Sequence, residues 1–259
     1  MKEFKEEWAQ RLLDVLHRNE YDKSFGELCK ICNSTDRDAS LALYQCTECF
    51  RATPMCKTCM VSCHACNPFH RIEKWTGSHL EKLFLKDLGL VVYLGHSGKR
   101  CSGATSTVTT TVVHTNGIQD CLISYCECET LDVHTKAKPL QLLNYGLYPG
   151  TFKRTKTAFS VVVLKQFHHL AMQGKLTAHD FCTSLRRLTN YAFKDDSSDR
   201  YREFLMAHRQ FSFLRQLKWA HRRADEELKE GSLAIECPAC PQPLMNMDPN
   251  WRECSAVVM

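Results

Sequence analysis

Cysteine dominates the chemistry that this sequence makes available. The 259 residues include sixteen cysteines and twelve histidines, and eight of the cysteines lie between residues 29 and 66. A C-x-x-C pair turns tightly enough for both thiolates to bind one tetrahedral ion, and two ligand pairs complete a structural zinc site. Four such pairs in so short a stretch predict a metal-folded module. They are Cys29/Cys32, Cys46/Cys49, Cys56/Cys59 and Cys63/Cys66.

The order of the pairs predicts a cross-braced module with two ions. The first and third pairs form one site, made of Cys29, Cys32, Cys56 and Cys59. The second site starts with Cys46 and Cys49, and spacing leaves two ways to complete it. The choices are Cys63/Cys66 or His64/His70, and we favour the histidines because Cys59 and Cys63 are close for separate turns. The ions would replace a hydrophobic core that is too small to fold alone.

This segment resembles ZZ-type zinc fingers, in which C-x-x-C pairs are followed by two histidines. The resemblance raises an alternative function, a protein-interaction module that binds a peptide or chromatin protein or forms a dimer. The loop Phe50–Met55 weakens the peptide-binding version, since it has no carboxylate for an N-terminal amine. A RING ubiquitin-ligase function is excluded because the segment has no C-x-H-x-x-C centre.

A third ligand set is predicted around a β-hairpin. Residues 105–128 are rich in β-branched side chains and contain Asn116-Gly117, a pair typical of tight hairpin turns. The second strand ends in a C-x-C pair, whose side chains would point to one face of the sheet. A loop before the hairpin supplies one histidine and one cysteine. The predicted zinc ligands are His96, Cys101, Cys126 and Cys128; the alternative is that these cysteines are buried reduced thiols.

The composition places these cysteines in a reducing compartment. The chain has no run of eighteen apolar residues, and its N-terminus lacks the apolar core of a secretory signal. Disulfides are rare in reducing compartments, so two to three bound zinc ions are the expected use of the clusters. Cys121 and Cys182 are each interpreted as packed core residues, and Cys237/Cys240 as half of a further site.

Hydrophobic periodicity predicts the surrounding elements. Residues 2–19 carry a helical stripe that we expect to pack on the zinc module; it comprises Phe4, Trp8, Leu12, Val15 and Leu16. Residues 71–90 are predicted to be a mixed linker anchored by Trp75 and Phe84. From residue 150 onward the pattern is helical, with a capping box at Thr177–Asp180 and a long helix from Tyr201 to Arg223.

Positive charge is concentrated in the helical part. Residues 150–223 contain fifteen Lys/Arg and five Asp/Glu, although the whole chain has a formal net charge of only +5. Such asymmetry suits nucleic acid, and a solvated helix face is the alternative. The predicted phosphate contacts lie three and four residues apart: Arg215, Lys218 and Arg222.

Together these patterns predict an α+β protein. It has a small cross-braced zinc module, a zinc-linked antiparallel β-hairpin region and then a helical region. The predicted segments are residues 1–25 (N-terminal helix), 26–75 (double-zinc module), 76–150 (β-rich region), 151–228 (basic helices) and 229–259 (CPAC tail).

Motifs spread along the chain resemble the CXC-type cysteine-cluster region that precedes the catalytic domain in KDZ (Kyakuja-Dileera-Zisupton) transposases. They are "HRIEKWTGSHLEKLFLKDLGL" (70–90), "LGHSGKRC" (94–101), "YCEC" (125–128), "QLLNYGLYP" (141–149), "RYREFL" (200–205) and "GSLAIECPACPQP" (231–243). The chain departs from the family at Gln119, where a histidine is common, after the QLL segment, and after the CPAC motif.

The resemblance implies an accessory region that binds the DNA of a mobile element, chromatin proteins or a transposase catalytic domain in the nucleus. In the family, an RNase H-like nuclease domain would begin just beyond Trp251. We therefore expect this chain to lack catalytic activity. Asp195, Asp196 and Asp199 lie in one polar stretch and are interpreted as a helix-capping turn, not as a catalytic carboxylate set.

Overall fold

A computed structural model describes residues 1–20, 23–32, 41–50, 52–103, 105–128, 136–192, 198–234, 239–241, 246–247 and 250. These residues form helices and two β-sheets, which confirms the predicted α+β class. The chain divides into two compact units, Met1–His208 and Arg209–Met259. None of the described helices is long and apolar enough to span a membrane.

The chain begins with a π-helical turn, Phe4–Trp8, that continues into helix α1, Ala9–Glu20. The helix forms where its periodicity predicts one. The expectation that its apolar stripe packs on the zinc module is wrong, because all five stripe residues are exposed. Periodicity identifies an apolar face, but it does not identify the surface that covers that face.

The zinc module contains one helix and a three-stranded antiparallel sheet. Helix α2 spans Lys57–Cys63, and the strands, in sheet order, are β1 (Tyr44–Cys46), β2 (Ile72–Trp75) and β3 (Leu80–Leu83). The predicted linker at 71–90 is therefore wrong; it is the hairpin β2–β3 followed by a 3₁₀ turn, Leu85–Leu88. Charged residues inside short strands hid this pattern, while Ile72 and Leu85 are buried in the module core.

A second sheet of five strands forms the centre of the first unit. Its strands are β4 (Val91–Leu94), β5 (Thr105–His114), β6 (Gly117–Cys126), β7 (Leu147–Pro149) and β8 (Thr157–Ser160), in the order β4-β6-β5-β8-β7. The predicted antiparallel hairpin is β5–β6, but β4 runs parallel to β6 and β8 parallel to β5. Strand β8 lies in the region predicted to be helical. All four of its residues are buried, so alternation could not reveal it.

The hairpin turn differs by one residue from the predicted position. Thr115 and Asn116 form the turn, and Gly117 is already the strand partner of His114. Gly117 has φ +131°, and a Cβ there would lie 2.6 Å from Thr189 Oγ1. Glycine is thus required both for the backbone conformation and for the close approach of the helix that carries Thr189.

Four further helices complete the described fold: α3 (Lys138–Asn144), α4 (Val161–Gly174), α5 (Ala178–Thr189) and α6 (Tyr201–Trp219). The predicted cap of α5 is present, since Thr177 Oγ1 accepts from Asp180 N at 3.1 Å. Helix α6 ends four residues before the predicted position. His221 adopts φ +51° and Arg222 N donates to Leu217 O, so the chain turns and leaves the helix.

Candidate metal centres

The structure brings together three sets of four metal-ligating side chains. In each set the candidate ligand atoms all lie within 4.8 Å of one another. Centre 1 is Cys29, Cys32, Cys56 and Cys59; centre 2 is Cys46, Cys49, His64 and His70; centre 3 is His96, Cys101, Cys126 and Cys128. Each set can therefore hold one metal ion, and its Cys/His composition suits zinc.

Centre 1 joins the loop that carries Cys29 and Cys32 to the start of helix α2. Cys29, Cys56 and Cys59 are buried, while Cys32 is exposed. The sulfurs of Cys32 and Cys56 are 3.8 Å apart. A zinc ion with Zn–S bonds of about 2.3 Å has tetrahedral edges of about 3.8 Å, so this spacing fits a four-sulfur site.

Centre 2 crosses centre 1 in the chain order, which produces the cross-brace. His70 Nδ1 lies 3.5 Å from Cys46 Sγ and 3.3 Å from Cys49 Sγ, and His64 Nε2 lies 3.4 Å from Cys49 Sγ. A mixed sulfur–nitrogen edge around zinc is about 3.6 Å, so these distances also fit. Among the described residues, Cys63 and Cys66 are exposed and lie outside this set.

His64 is oriented by the helix that precedes it. The side chain is 1% exposed, and its Nδ1 is 2.9 Å from Met60 O. A carbonyl oxygen only accepts, so Nδ1 carries the proton and Nε2 is left to face the sulfurs. This carbonyl–imidazole arrangement is how metal-binding histidines are commonly held.

Centre 3 lies where β6 ends and the following chain leaves the sheet. His96 Nε2 is 3.2 Å from Cys126 Sγ and 3.3 Å from Cys128 Sγ, and the two sulfurs are 3.1 Å apart. The sulfur–sulfur distance is shorter than the zinc tetrahedral edge of about 3.8 Å, so these thiolates would separate on binding an ion. Cys101 accepts a hydrogen bond from Gly103 N at 3.2 Å.

The loop that presents His96 has an unusual backbone. His96 and Ser97 have φ of +46° and +56°, a conformation that residues with a Cβ seldom adopt. They are flanked by Gly95 and Gly98, and a Cβ on Gly95 would lie only 2.8 Å from Cys126 Cβ. Such strain persists where neighbouring structure fixes the loop, and it is common at binding sites.

Side chains of helix α3 bind the backbone on both sides of centre 3. The sequence did not predict this role of α3. The Gln141 side chain accepts from Cys126 N at 3.0 Å and donates to Cys126 O at 2.8 Å. One turn later, Tyr145 Oη accepts from Gly98 N at 2.7 Å and from Gly95 N at 3.1 Å. Both residues belong to the "QLLNYGLYP" motif, so the resemblance marked the segment without indicating its role.

In each of the first two centres, the pKa of one thiol is lowered, so that thiol ionises more readily than an ordinary cysteine. Burial opposes the charge, but hydrogen bonds from the backbone of Cys56, Cys32 and Ile31 and from the Cys32 side chain lower the pKa of Cys29 to about 6. The pKa of Cys46 also falls to about 6: burial opposes this, and the neighbouring His64 side chain together with hydrogen bonds from the backbone of Glu48 and Cys49 outweighs it.

Other thiols in centres 2 and 3 are harder to ionise. Burial and the adjacent Cys46 raise the pKa of Cys49 to about 11. In centre 3, burial and the neighbouring Cys128 and Cys101 raise the pKa of Cys126 to about 11. Closely packed thiolates repel one another, so full ionisation of each set requires a cation such as zinc.

The remaining cysteines separate into buried and exposed groups. Burial raises the pKa of the Cys121 and Cys182 thiols to about 12, as expected for packed core residues. Cys240 is exposed. The predicted half-site at Cys237/Cys240 includes Cys237, which lies outside the described residues, as do Asp195 and Asp196.

The three predicted phosphate-contacting residues lie in the second unit. The Arg215 guanidinium is 4.5 Å from the ring centroid of Trp219 and 5.9 Å from that of Phe211. Lys218 is exposed near the end of α6. Arg222 is exposed in the turn after the helix, so the three residues do not form one continuous helix face.

Comparison with known proteins finds a family model that matches the segment containing centre 3. Residues 85–192 match the family model for the CxC2 like cysteine cluster associated with KDZ transposases. This match confirms the resemblance for that segment and includes all four ligands of centre 3, together with Gln141 and Tyr145. The ZZ-type resemblance of the preceding module stays a prediction. Neither the curated proteins nor the solved structures gave a match to the chain.

Proposed function

We propose that the chain is an accessory, zinc-binding region of a KDZ-type transposase system that binds the DNA of a mobile element in the nucleus without cutting it. The CxC2 cluster and three metal centres support the family context. The observation that carries the DNA proposal is charge: residues 150–223 contain fifteen Lys/Arg and five Asp/Glu. Duplex DNA is recognised first through its phosphates.

Basic side chains near the end of α6 support this proposal, and one of them packs against aromatic rings. The Arg215 guanidinium lies over the Trp219 ring at 4.5 Å, and the Phe211 ring is 5.9 Å away. A stacked guanidinium loses less side-chain freedom on binding and keeps its N–H edge for a phosphate oxygen. Lys218 and Arg222 are exposed on either side of Trp219 in the sequence.

A second basic surface borders centre 3. Lys99 and Arg100 are exposed immediately before the ligand Cys101, and Lys136 is exposed near the other edge of the centre. Lys138 forms an ion pair with Glu127 at 3.7 Å. If the metal centre presents this surface to DNA, loss of the ion would weaken binding through loss of local order rather than loss of charge.

A non-catalytic role is supported by the carboxylate that can be placed. Asp199 Oδ1 accepts from Tyr201 N at 2.9 Å, so it caps α6. This is the helix-capping function expected from the sequence. The proposal therefore assigns binding to this chain and strand cleavage to a separate nuclease domain.

The proposal is tested by fluorescence anisotropy with duplex DNA over a range of salt. We expect binding at low salt that weakens steeply as salt rises. The triple variant Arg215→Ala, Lys218→Ala and Arg222→Ala should reduce the salt slope by about three units, roughly one for each lost phosphate contact. Zinc content should be unchanged.

A matched control removes the same charge outside residues 150–223: Lys23→Ala, Lys82→Ala and Lys229→Ala, all at exposed positions. It should retain most of the wild-type salt slope. Absence of binding by the wild type at low salt would contradict the DNA proposal. A triple variant that binds like the wild type would instead move the contact to the surface around centre 3.

A further inference from the structure

Helix α1 and the π-helical turn that leads into it present a row of large apolar side chains to solvent. Phe4 is 46% exposed, Trp8 47%, Leu12 47%, Val15 43% and Leu16 61%. These residues recur at helical spacing and share one face. An apolar stripe of this size on one helix face marks a binding surface, since an isolated soluble helix gains nothing from exposing it.

Charged residues along one border of the stripe indicate what binds there. Glu7, Arg11, Asp14 and Arg18 are spaced by four, three and four residues, so they form one row along the helix. The signs along this row alternate as negative, positive, negative, positive. A parallel copy of the helix would place like charges together, whereas an antiparallel copy reverses the order and places opposite charges together.

We propose that α1 pairs in an antiparallel arrangement with α1 of a second copy of this chain. In the register where Leu12 faces Leu12 of the second copy, Trp8 lies against Leu16. The same register brings Glu7 near Arg18 and Arg11 near Asp14 of the other helix. In an antiparallel pair, positions at equal distances on either side of the crossing point meet, and each of these pairs is nearly symmetric about Leu12. Apolar contact and charge pairing therefore agree on one geometry.

The existing contacts of the border residues are compatible with this pairing. Arg11 lies over the Trp8 ring at 5.6 Å, at the edge of the stripe. Arg18 Nε donates to Asp14 O at 3.1 Å within the helix. Gln10 Nε2 donates to Asp14 Oδ1 at 2.8 Å, and Glu7 is exposed.

The mass of the zinc-loaded full chain, measured by sedimentation equilibrium over a concentration series, tests the stripe. We expect a monomer–dimer equilibrium for the wild type and a monomer for Leu12→Glu, which places two carboxylates together at the centre of the pair. Leu13→Glu is the matched control, because Leu13 is also exposed but lies off the stripe. A wild type that stays monomeric, or a Leu12→Glu variant that still dimerises, would overturn the proposal.

Charge reversal tests the antiparallel geometry. Glu7→Arg or Arg18→Glu alone should each weaken the dimer by about ten-fold, since each creates like-charge contacts across the pair. The double variant Glu7→Arg with Arg18→Glu should restore the wild-type dissociation constant. A double variant as weak as the single ones would overturn the antiparallel arrangement. Zinc content and helicity, measured alongside, distinguish these effects from misfolding.

Discussion

His64 and Cys63 are neighbours in the chain, yet the structure gives them opposite environments. His64 is buried and its Nε2 faces Cys49 Sγ, while Cys63 is exposed. The cause is α2, which ends at Cys63 and places the next side chain inward. Ligand identity in centre 2 is therefore decided by the direction of one side chain and not by residue type.

Thiol alkylation tests this division between neighbouring residues. In the zinc-loaded protein, iodoacetamide should label Cys63 and Cys66 quickly, while Cys46 and Cys49 stay protected until a chelator is added. Exposed thiols react, whereas metal-bound or buried thiols react slowly. Peptide mass spectrometry gives the labelling of each cysteine.

Cys121 and Cys182 serve as internal controls for that experiment. Both should stay unlabelled with or without chelator as long as the fold persists, because burial raises the pKa of each thiol to about 12. If Cys63 and Cys66 are protected until chelation while His70→Ala retains full zinc, the alternative of four cysteine pairs is correct.

His114 predicts a pH dependence of stability. Burial lowers the pKa of its imidazole, and its Nδ1 lies 2.8 Å from Ser160 Oγ, which also accepts from Val163 N to cap α4. A histidine with a lowered pKa stabilises the fold above its unfolded pKa of about 6.5, and this contribution is lost as pH falls.

Replacing His114 should therefore flatten the decline in stability on acidification. We expect His114→Gln to show a smaller loss of Tm between about pH 7 and 5 than the wild type, measured by thermal unfolding of zinc-loaded protein. His169→Gln, at an exposed position of α4, is the control and should keep the wild-type slope. Equal slopes for His114→Gln and the wild type would remove His114 as the cause.

At the level of elements, two short helices do most of the positioning of ligands. Helix α2 has Cys56 as its N-cap, Cys59 in its first turn and His64 as its C-cap, so it contributes to centres 1 and 2. Helix α3 contributes no ligand, but Gln141 and Tyr145 bind the backbone on either side of centre 3. A metal centre of this kind depends on the helix beside it as well as on its ligands.

The contribution of α3 can be measured with one hydroxyl group. Tyr145→Phe removes the hydrogen bonds to Gly95 and Gly98 while keeping the ring, and we expect the zinc affinity of centre 3 to fall by about ten-fold or more. Chelator competition gives the affinity, and cobalt substitution reports the geometry through its absorption spectrum.

Tyr93→Phe provides a matched control, since Tyr93 lies on β4 and forms none of these loop contacts among the described hydrogen bonds. The Tyr93→Phe variant should keep the wild-type zinc affinity of centre 3. Unchanged affinity and an unchanged cobalt spectrum in Tyr145→Phe would show that the strained His96 loop is fixed by other contacts.

Within the first unit, polar contacts connect the zinc module to the large sheet. Asn116 Nδ2, in the hairpin turn, donates to the Glu48 carboxylate at 2.7 Å and to Phe69 O at 2.7 Å. Gln119 Nε2 donates to the same Phe69 carbonyl at 2.6 Å. Glu48 lies between two ligands of centre 2 and Phe69 directly precedes a third, so this junction links metal binding to the sheet.

Loss of this junction should destabilise the whole first unit. We expect Asn116→Ala to lower the free energy of unfolding by about 0.5–1.5 kcal/mol, because the Glu48 carboxylate and the half-buried Phe69 carbonyl lose a hydrogen-bond donor. Thermal unfolding gives the stability, and hydrogen exchange shows whether β5 and β6 open near the turn. Asn144→Ala, at an exposed position of α3, is the control. Equal stability of the two variants would mean that module and sheet are joined by other contacts.

The ligands of centres 1 and 3, the cross-braced order and the β5–β6 hairpin could all be predicted from the sequence. These features are local: a C-x-x-C turn, a C-x-C pair and a hairpin pattern each involve residues that are close in the chain. The resemblance added the family context. For the same reason Thr177 and the start of α5 were predictable from a few adjacent side chains.

Other features depend on contacts between segments that are distant in the chain. Strand β8 is a strand because β5 and β7 pair with it, and the exposure of α1 depends on which surfaces remain uncovered. The roles of Gln141 and Tyr145 require α3 to pack against two distant backbone segments. Residues far apart in the chain meet only after folding, and the free energy of those contacts, rather than intrinsic propensity, fixes the element and the site.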